Sequence, residues 1–310
     1  MSKLAPIVAS MRTDIGQYHD HNEDFVSCWE PTTVEDEAKY GWLYIVADGV
    51  GGADAGEIAS QFASERMLEH YLAGTDEPDW GERLRKAMVK ANTELRQLVA
   101  NEHESRRMAT TMVTAVIHDQ HATIANVGDS RAYHWRAGHI QQISKDHSLV
   151  AKLVEEGAIS AAEAEDHPYG NIILYSIGSD RNPKIDVFEV PLVLGDAILL
   201  CSDGLIKHVS DQEISDFIAR QAPHVATESL ITLANERGGK DNISVIVLRY
   251  GKRPSELETA VSSESVVIPQ SGKAVVTLSD ASRLSLWLFT IFLSVAQSIL
   301  IFLVWILLRV

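Results

Sequence analysis

Three acidic turns constrain this chain more than any other feature: Asp48-Gly49-Val50-Gly51-Gly52, Asp203-Gly204 and Asp241-Asn242. Each adjoins an apolar run that reads as a buried strand: 42–47 before the first, 197–201 before the second, 243–247 after the third. A carboxylate at the end of such a strand sits where a sheet opens to solvent. Three such ends, far apart in sequence, converge only if they build one site. Converging carboxylates repel one another unless a cation lies between them. An all-oxygen ligand set selects a hard divalent ion, Mg²⁺ or Mn²⁺.

The pattern around these turns is mixed. Strand-like runs are 5–12, 24–29, 42–47, 111–118, 122–127, 131–136, 185–190, 197–201 and 243–250. Amphipathic helical patterns cover 55–73 and 80–103, and two further helices, 211–220 and 224–237, follow Asp203. Ser210 with Glu213 forms a capping box for the first of that second pair, and Gly238-Gly239 stops the second. Strands group with strands and helices come in pairs. The class is therefore α+β, with antiparallel sheets covered by helices, not a regular βαβ winding. The formal net charge of -16 excludes a phosphate-backbone reader, so no nucleic-acid partner is expected. Two cysteines, Cys28 and Cys201, make no disulfide framework and no thiolate metal site, which fits a reducing compartment.

The character changes after residue 250. Residues 251–283 are rich in Ser, Thr, Glu and Val without a sustained period and read as a flexible linker. Residues 284–308 carry no charge and only Gln297 as a strong polar group, long enough to span a bilayer as a transmembrane helix. Trp287 and Trp305 stand near its ends as interfacial anchors would. Lys252, Arg253, Lys273 and Arg283 precede the run and Arg309 alone follows it, which favours a cytoplasmic position for residues 1–250. The expectation is a single-pass membrane protein with a C-terminal anchor. A buried globular helix is the competing reading of 284–308.

Several short segments carry possible chemistry. Asp14 to Asp24 holds two histidines, His19 and His21, and four acids. Taken alone it reads as a solvated polar loop. Asn126-Val127-Gly128-Asp129-Ser130-Arg131-Ala132-Tyr133 reads by composition as a plain hairpin connection. Asp-Gly and Asp-Asn are ordinary turn pairs. Their order is more informative than any one of them. Asn22-Glu23-Asp24, Asp48-Gly49-Val50-Gly51-Gly52, Met108-Ala109-Thr110-Thr111, Val127-Gly128-Asp129-Ser130-Arg131, Lys145-Asp146-His147-Ser148, Ser202-Asp203-Gly204-Leu205 and Asp241-Asn242-Ile243-Ser244 follow one another along the chain. This series resembles the metal-dependent protein serine/threonine phosphatases of the PPM (type 2C) family over residues 7–250. The Asp-Gly-Val-Gly-Gly form resembles the bacterial branch.

The resemblance implies an α-β-β-α sandwich, two antiparallel sheets flanked by helix pairs. It implies that Asp48 bridges two metal ions, Mn²⁺ or Mg²⁺, and that the Gly49 carbonyl binds one of them. Asp203 and Asp241 would complete the other. Glu23 and Asp24 would hold metal-bound waters, and Asp129 resembles the ligand of a third, weaker ion. Residues 147–178 would form a flap, with 149–154 a short amphipathic helix. The implied reaction is in-line attack on phosphoserine or phosphothreonine by a water activated between the ions, with no Ser or Cys nucleophile. The implied partners are phosphorylated proteins, among them membrane serine/threonine kinases and their substrates, beside the lipid bilayer. The chain departs from the family where most members carry a phosphate-gripping Arg; His19 stands there, three residues before Asn22. His cannot make the bidentate fork of Arg. Ala53 and Val50 occupy places where many bacterial and animal members carry His. His19, with His21 second, is the candidate for contacting phosphate or protonating the leaving oxygen. Two other functions stay open: a catalytically weak membrane scaffold that binds phosphoproteins, and a two-metal hydrolase of a small phosphoester.

Overall fold

The computed structural model describes residues 5–51, 55–101, 108–165 and 167–251. The expected linker and membrane span lie outside the described residues, apart from Gly251. Along the chain, β1 (Ile7–Asp14) and β2 (Asp24–Trp29) are followed by α1 (Val34–Tyr40) and β3 (Trp42–Val50). Helices α2 (Ala55–Ala73) and α3 (Trp80–Asn101) come next. The strands β4 (Ala109–Thr110), β5 (Met112–His118), β6 (His121–Val127), β7 (Arg131–Arg136) and β8 (His139–Gln142) follow. Two short helices, α4 (Leu149–Glu155) and α5 (Ala161–Glu165), lie in the segment expected as a flap. Then come β9 (Asp186–Pro191), β10 (Ala197–Cys201), α6 (Asp203–Ile206), α7 (Asp211–Arg220), α8 (Pro223–Glu236) and β11 (Ile243–Tyr250).

The strands form two antiparallel sheets. One has the order β1-β11-β10-β7-β8; the other runs β2-β3-β5-β6-β9, with β4 pairing β3. β5, β10 and most of β11 are buried residue after residue, because they are central strands covered on both faces. Three apolar layers follow. Val46, Ile124, Ile198, Leu200 and Ile246 pack between the sheets. Leu43, Met67, Met88 and Leu95 pack α2 and α3 on the outer face of the second sheet. Leu199, Ile214, Leu230 and Val247 pack α7 and α8 on the outer face of the first. The observed architecture is the α-β-β-α sandwich with helix pairs.

Local signals explain the helix limits. Ser210 and Glu213 complete the reciprocal capping box at α7. At the end of α8 the Gly239 N–H donates to the Ala234 carbonyl at 3.0 Å, with Gly239 at φ 49°. The amphipathic pattern expected over 55–73 is not what buries α2: its buried stripe of Ala55, Gly56, Ala59, Ser60, Ala63 and Ser64 before Met67 and Tyr71 is no more apolar than its outer face, and small size rather than hydropathy suits it to the sheet. Small residues let this helix lie close on the sheet.

Two further expectations need correction. Residues 126–133 are not a hairpin: β6 pairs β5 and β9 in one sheet, while β7 pairs β10 and β8 in the other. The Gly128-Asp129-Ser130 turn therefore crosses between sheets. The strand expected at 42–47 runs on through Val50, because Gly49 and Val50 pair with Thr110 and Ala109. The helix expected at 80–103 is present over Trp80–Asn101, and residues 102–103 lie outside the described residues. Elements too short or too polar for periodicity to mark were not expected: α1, α5, α6, β4 and β8.

Ile246 sits wholly buried in the layer between the sheets. Ile246→Ala is expected to lower unfolding free energy by about 2–5 kcal/mol in urea titration, the cost of an unrefilled core cavity.

Candidate metal centre

Antiparallel pairing dictates where the acids go. β2 starts at Asp24, which lies directly opposite Asp48 near the end of β3. Cys201 at the end of β10 pairs with Arg131 at the start of β7 and with Val245 near the start of β11. Asp203, Asp129 and Asp241 therefore emerge at one end of the first sheet. Hydrogen bonds then join the two sheets at that end. The Ser202 hydroxyl donates to Asp24 Oδ2 at 2.7 Å and accepts the Ser244 N–H at 2.9 Å. The Asn242 side chain accepts the Glu23 N–H at 2.7 Å and donates to the carbonyls of Ile15 and His21. Thr111 accepts the Asp48 N–H at 3.2 Å, donates its own N–H to the Asp48 carbonyl at 2.8 Å, and shares a 2.7 Å hydroxyl contact with Ser130.

Five carboxylates are gathered here, and in four of them burial and neighbouring charges oppose ionisation. Burial pushes Asp24 up to about 7, reinforced by Asp203 and Asp241. Burial pushes Asp129 up to about 7, reinforced by Asp203 and Asp146. Asp48 lies far above the ordinary carboxylate range through burial and the charges of Asp24, Asp203, Asp129 and Asp241. Asp48 as a whole residue is partly buried. Asp203 is raised by burial, with Lys207 opposing the shift and Asp241 adding to it. One oxygen each of Asp24, Asp129 and Asp203 is buried with no hydrogen-bond partner. A buried carboxylate oxygen without a donor is costly. The donor set fits a hard divalent cation on both counts: oxygen only, and oxygens left over.

The fit is incomplete in one respect. Among the described residues no three His, Cys, Asp or Glu side chains converge tightly enough to grip one ion as they stand. Two of the expected ligands close instead on an ammonium. Lys207 Nζ lies 2.7 Å from Asp203 Oδ2 and 2.7 Å from Asp241 Oδ2. Lys207 escaped the sequence reading, whose motif stopped at Leu205. The signal that would have found it is its i,i+4 spacing from Asp203 on a helical turn.

The remaining expected residues are also at this end. The Gly49 N–H donates to the Glu23 carbonyl at 3.1 Å. A Cβ on Gly49 would strike the Gly56 carbonyl and the Glu23 backbone, so only Gly fits there. Burial raises the Glu23 carboxyl, and His19 opposes that shift. His19 is half-exposed, with Nε2 3.4 Å from Asp241 Oδ1. His21 is exposed and touches the site through its carbonyl. His147 is buried. Its Nδ1 accepts the Gly128 N–H at 3.2 Å, so its Nε2 carries the proton and donates to Asp186 at 3.0 Å. That pair ties the root of the expected flap to the turn bearing Asp129. Both cysteines are buried, and burial pushes the Cys28 thiol up to about 12, which leaves no reactive thiolate.

The family profile described as protein phosphatase 2C matches residues 20–236. The chain belongs to the protein phosphatase 2C family. Among its relatives is a serine/threonine phosphatase stp of Listeria welshimeri, 34% identical over 247 residues, covering 77% of this chain and 94% of the relative. Protein phosphatase PhpP of Streptococcus pneumoniae is 35% identical over 253 residues, covering 80% and 99%. The solved catalytic domain of the serine/threonine protein phosphatase PstP in complex with two manganese ions is 30% identical. It superposes with a TM-score of 0.67 over 79% of this chain and 99% of that one.

Asp24 and Asp129 define a pH window. Below the ordinary value of 3.8 both are protonated whether folded or not, and their burial carries no penalty. As pH rises toward about 7 the unfolded chain releases these protons first, so metal-free stability falls across that window and levels off above it. Asp24→Asn is expected to melt higher than the parent in EDTA at pH 7 and to lose less of its melting temperature between pH 4 and 7. An unchanged slope in the variant would remove Asp24 as a source of the effect.

Proposed function

We propose that this phosphatase hydrolyses phosphoserine and phosphothreonine in proteins with water activated by divalent metal, at the cytoplasmic face of a membrane. The chain is a serine/threonine protein phosphatase by family, and that family depends on Mn²⁺ or Mg²⁺. The observation carrying the site assignment is the gathering of Asp24, Asp48, Asp129, Asp203 and Asp241 from both sheets, with three buried oxygens left without partners.

In this reading Asp48 would bridge two ions and the Gly49 carbonyl would serve one of them. Asp203 and Asp241 would hold the other, and Asp129 would hold a third, weaker one. The ions, when bound, supply the acidified water nucleophile and neutralise phosphoryl charge. The chain's own groups do the rest. Glu23 and Asp24 present carboxylates that orient water, with Asp24 fixed by Ser202 and Glu23 fixed through its backbone by Asn242. The Gly49 backbone packs against the backbones of Gly56 and Glu23 with no room for a Cβ, which keeps this position free of any side chain. His19, held beside Asp241, offers an N–H to a phosphoryl oxygen or a proton to the departing serine or threonine oxygen. The flap between His147 and Gly178 borders the acids through Gly128 and the Thr110–Ile177 bridge, where a phosphoprotein segment would lie.

The membrane part of the proposal rests on the sequence of 284–308 and on the basic residues before it. By analogy with the family the substrates would include membrane serine/threonine kinases and the proteins they phosphorylate. The full chain is expected in the membrane fraction after carbonate extraction; recovery in the supernatant would overturn the anchor.

The catalytic reading is tested by phosphate release from a phosphothreonine peptide. Release is expected with Mn²⁺, absent in EDTA, and reduced on the order of 10³-fold in Asp48→Asn, the several kcal/mol that the ions supply. Wild-type turnover in Asp48→Asn would sink the site. His19→Ala is expected to lower kcat/KM roughly tenfold, and His19→Arg to recover it. Unaltered kinetics in the alanine variant would remove His19 from the mechanism.

A further inference from the structure

Lys207 is placed by the backbone. It caps α6 with its N–H on the Asp203 carbonyl at 3.0 Å, so its side chain rises along the same face as Asp203, one turn on. Its ammonium makes 2.7 Å contacts to one oxygen of Asp203 and one of Asp241. Those residues come from β10's end and β11's approach, and both carboxylates are assigned above to one ion. On the far side, His19 faces the other oxygen of Asp241 at 3.4 Å. The other oxygen of Asp203 is buried without a hydrogen-bond partner. The ammonium thus neutralises part of the pair while leaving ligand capacity unused.

A divalent ion needs these oxygens at about 2.0–2.2 Å, closer than an ammonium stands, and it repels a positive charge a few ångströms away. The ammonium and a divalent ion would therefore compete for the Asp203–Asp241 pair. Lys207 is tethered by a flexible four-carbon stem, so its effective concentration at the pair is high and its withdrawal is easy. We propose that Lys207 is a built-in counter-cation that competes with the divalent ion for Asp203 and Asp241, and that ion binding displaces its ammonium from the pair. The inference rests on the two-ion reading of the site. It makes Lys207 the residue that sets how much metal the enzyme needs, although it would be no ligand itself.

The test is Mn²⁺ binding to the purified full chain by isothermal titration calorimetry. Lys207→Met is expected to bind Mn²⁺ at least tenfold tighter at the tightest site, while Lys207→Arg and the distant Lys86→Met stay near wild type. The metal-free Lys207→Met protein is expected to melt lower, because two carboxylates lose their cation, and to be stabilised more by saturating Mn²⁺ than wild type is. A second measurement uses the wild-type chain and so does not depend on a variant folding. Acylation of Lys207 by an amine-reactive ester, read by peptide mass spectrometry, is expected to rise several-fold when Mn²⁺ is added. Equal Mn²⁺ affinity in Lys207→Met and wild type, or acylation indifferent to Mn²⁺, overturns the inference and leaves Mn²⁺-dependent phosphate release standing. Failure of every variant and of wild type to bind Mn²⁺ overturns the two-ion reading and the inference together.

Discussion

Repulsion among buried carboxylates is the constraint to which this end of the sandwich answers. Asp24 and Asp48 face each other across adjacent strands, an arrangement that antiparallel sheets ordinarily avoid for like charges. Asp129, Asp203 and Asp241 are brought against them from the other sheet. Nothing in the hydrophobic layers favours this crowding. It is held by a seam of short polar contacts in which Ser202, Ser244, Asn242, Thr111 and Ser130 each bridge segments distant in sequence. The apolar layers fix the sheets, and the seam fixes their ends.

That division of labour explains how the same fold keeps a strained site in register. The layer between the sheets sets their spacing, and the crossing turn at Gly128–Ser130 sets their alignment at the acidic end. His147 anchors that turn to β9 through Asp186, so the start of the flap and one of the acids share a foundation. Lys207 and His19 both converge on Asp241, whose side chain is 34% exposed against 16% for Asp203. The exposed rim is therefore where charge is traded, and the buried acids form its fixed wall.

Much of this was legible in the sequence. Long apolar runs such as 197–201 and 243–250 matched β10 and β11 because burial on both faces leaves no polar interruption. Ser210, Glu213 and the Gly238-Gly239 pair marked helix ends through contacts only a few residues long. The acids that the fold gathers at one end could be picked out because they stand in order along the chain. What escaped depended on non-local pairing or on a neighbour's conformation. Gly128-Asp129-Ser130 has the composition of a hairpin, and only the later strands β9 and β10, by claiming β6 and β7 for different sheets, make it a crossing. β4 is two residues long and exists because β3 continues past Asp48. Lys207 becomes part of the site only once 203–206 is helical, and a four-residue helix leaves no periodic trace.

The small-residue face of α2 has a consequence for how the site can respond to the rest of the molecule. Where Gly56 meets Glu23 and Gly49, backbone lies on backbone, and a Cβ on Gly56 would collide with the Glu23 carboxylate. Long side chains at such a junction would act as compliant spacers, absorbing a shift by changing rotamer. Between Gly56 and Gly49 there are none, and the Glu23 side chain alone reaches the junction. A shift of α2 along the sheet would therefore meet the Gly49 backbone directly, beside the acids, while the far end of the helix, near Tyr71 and Ala73, lies several turns away.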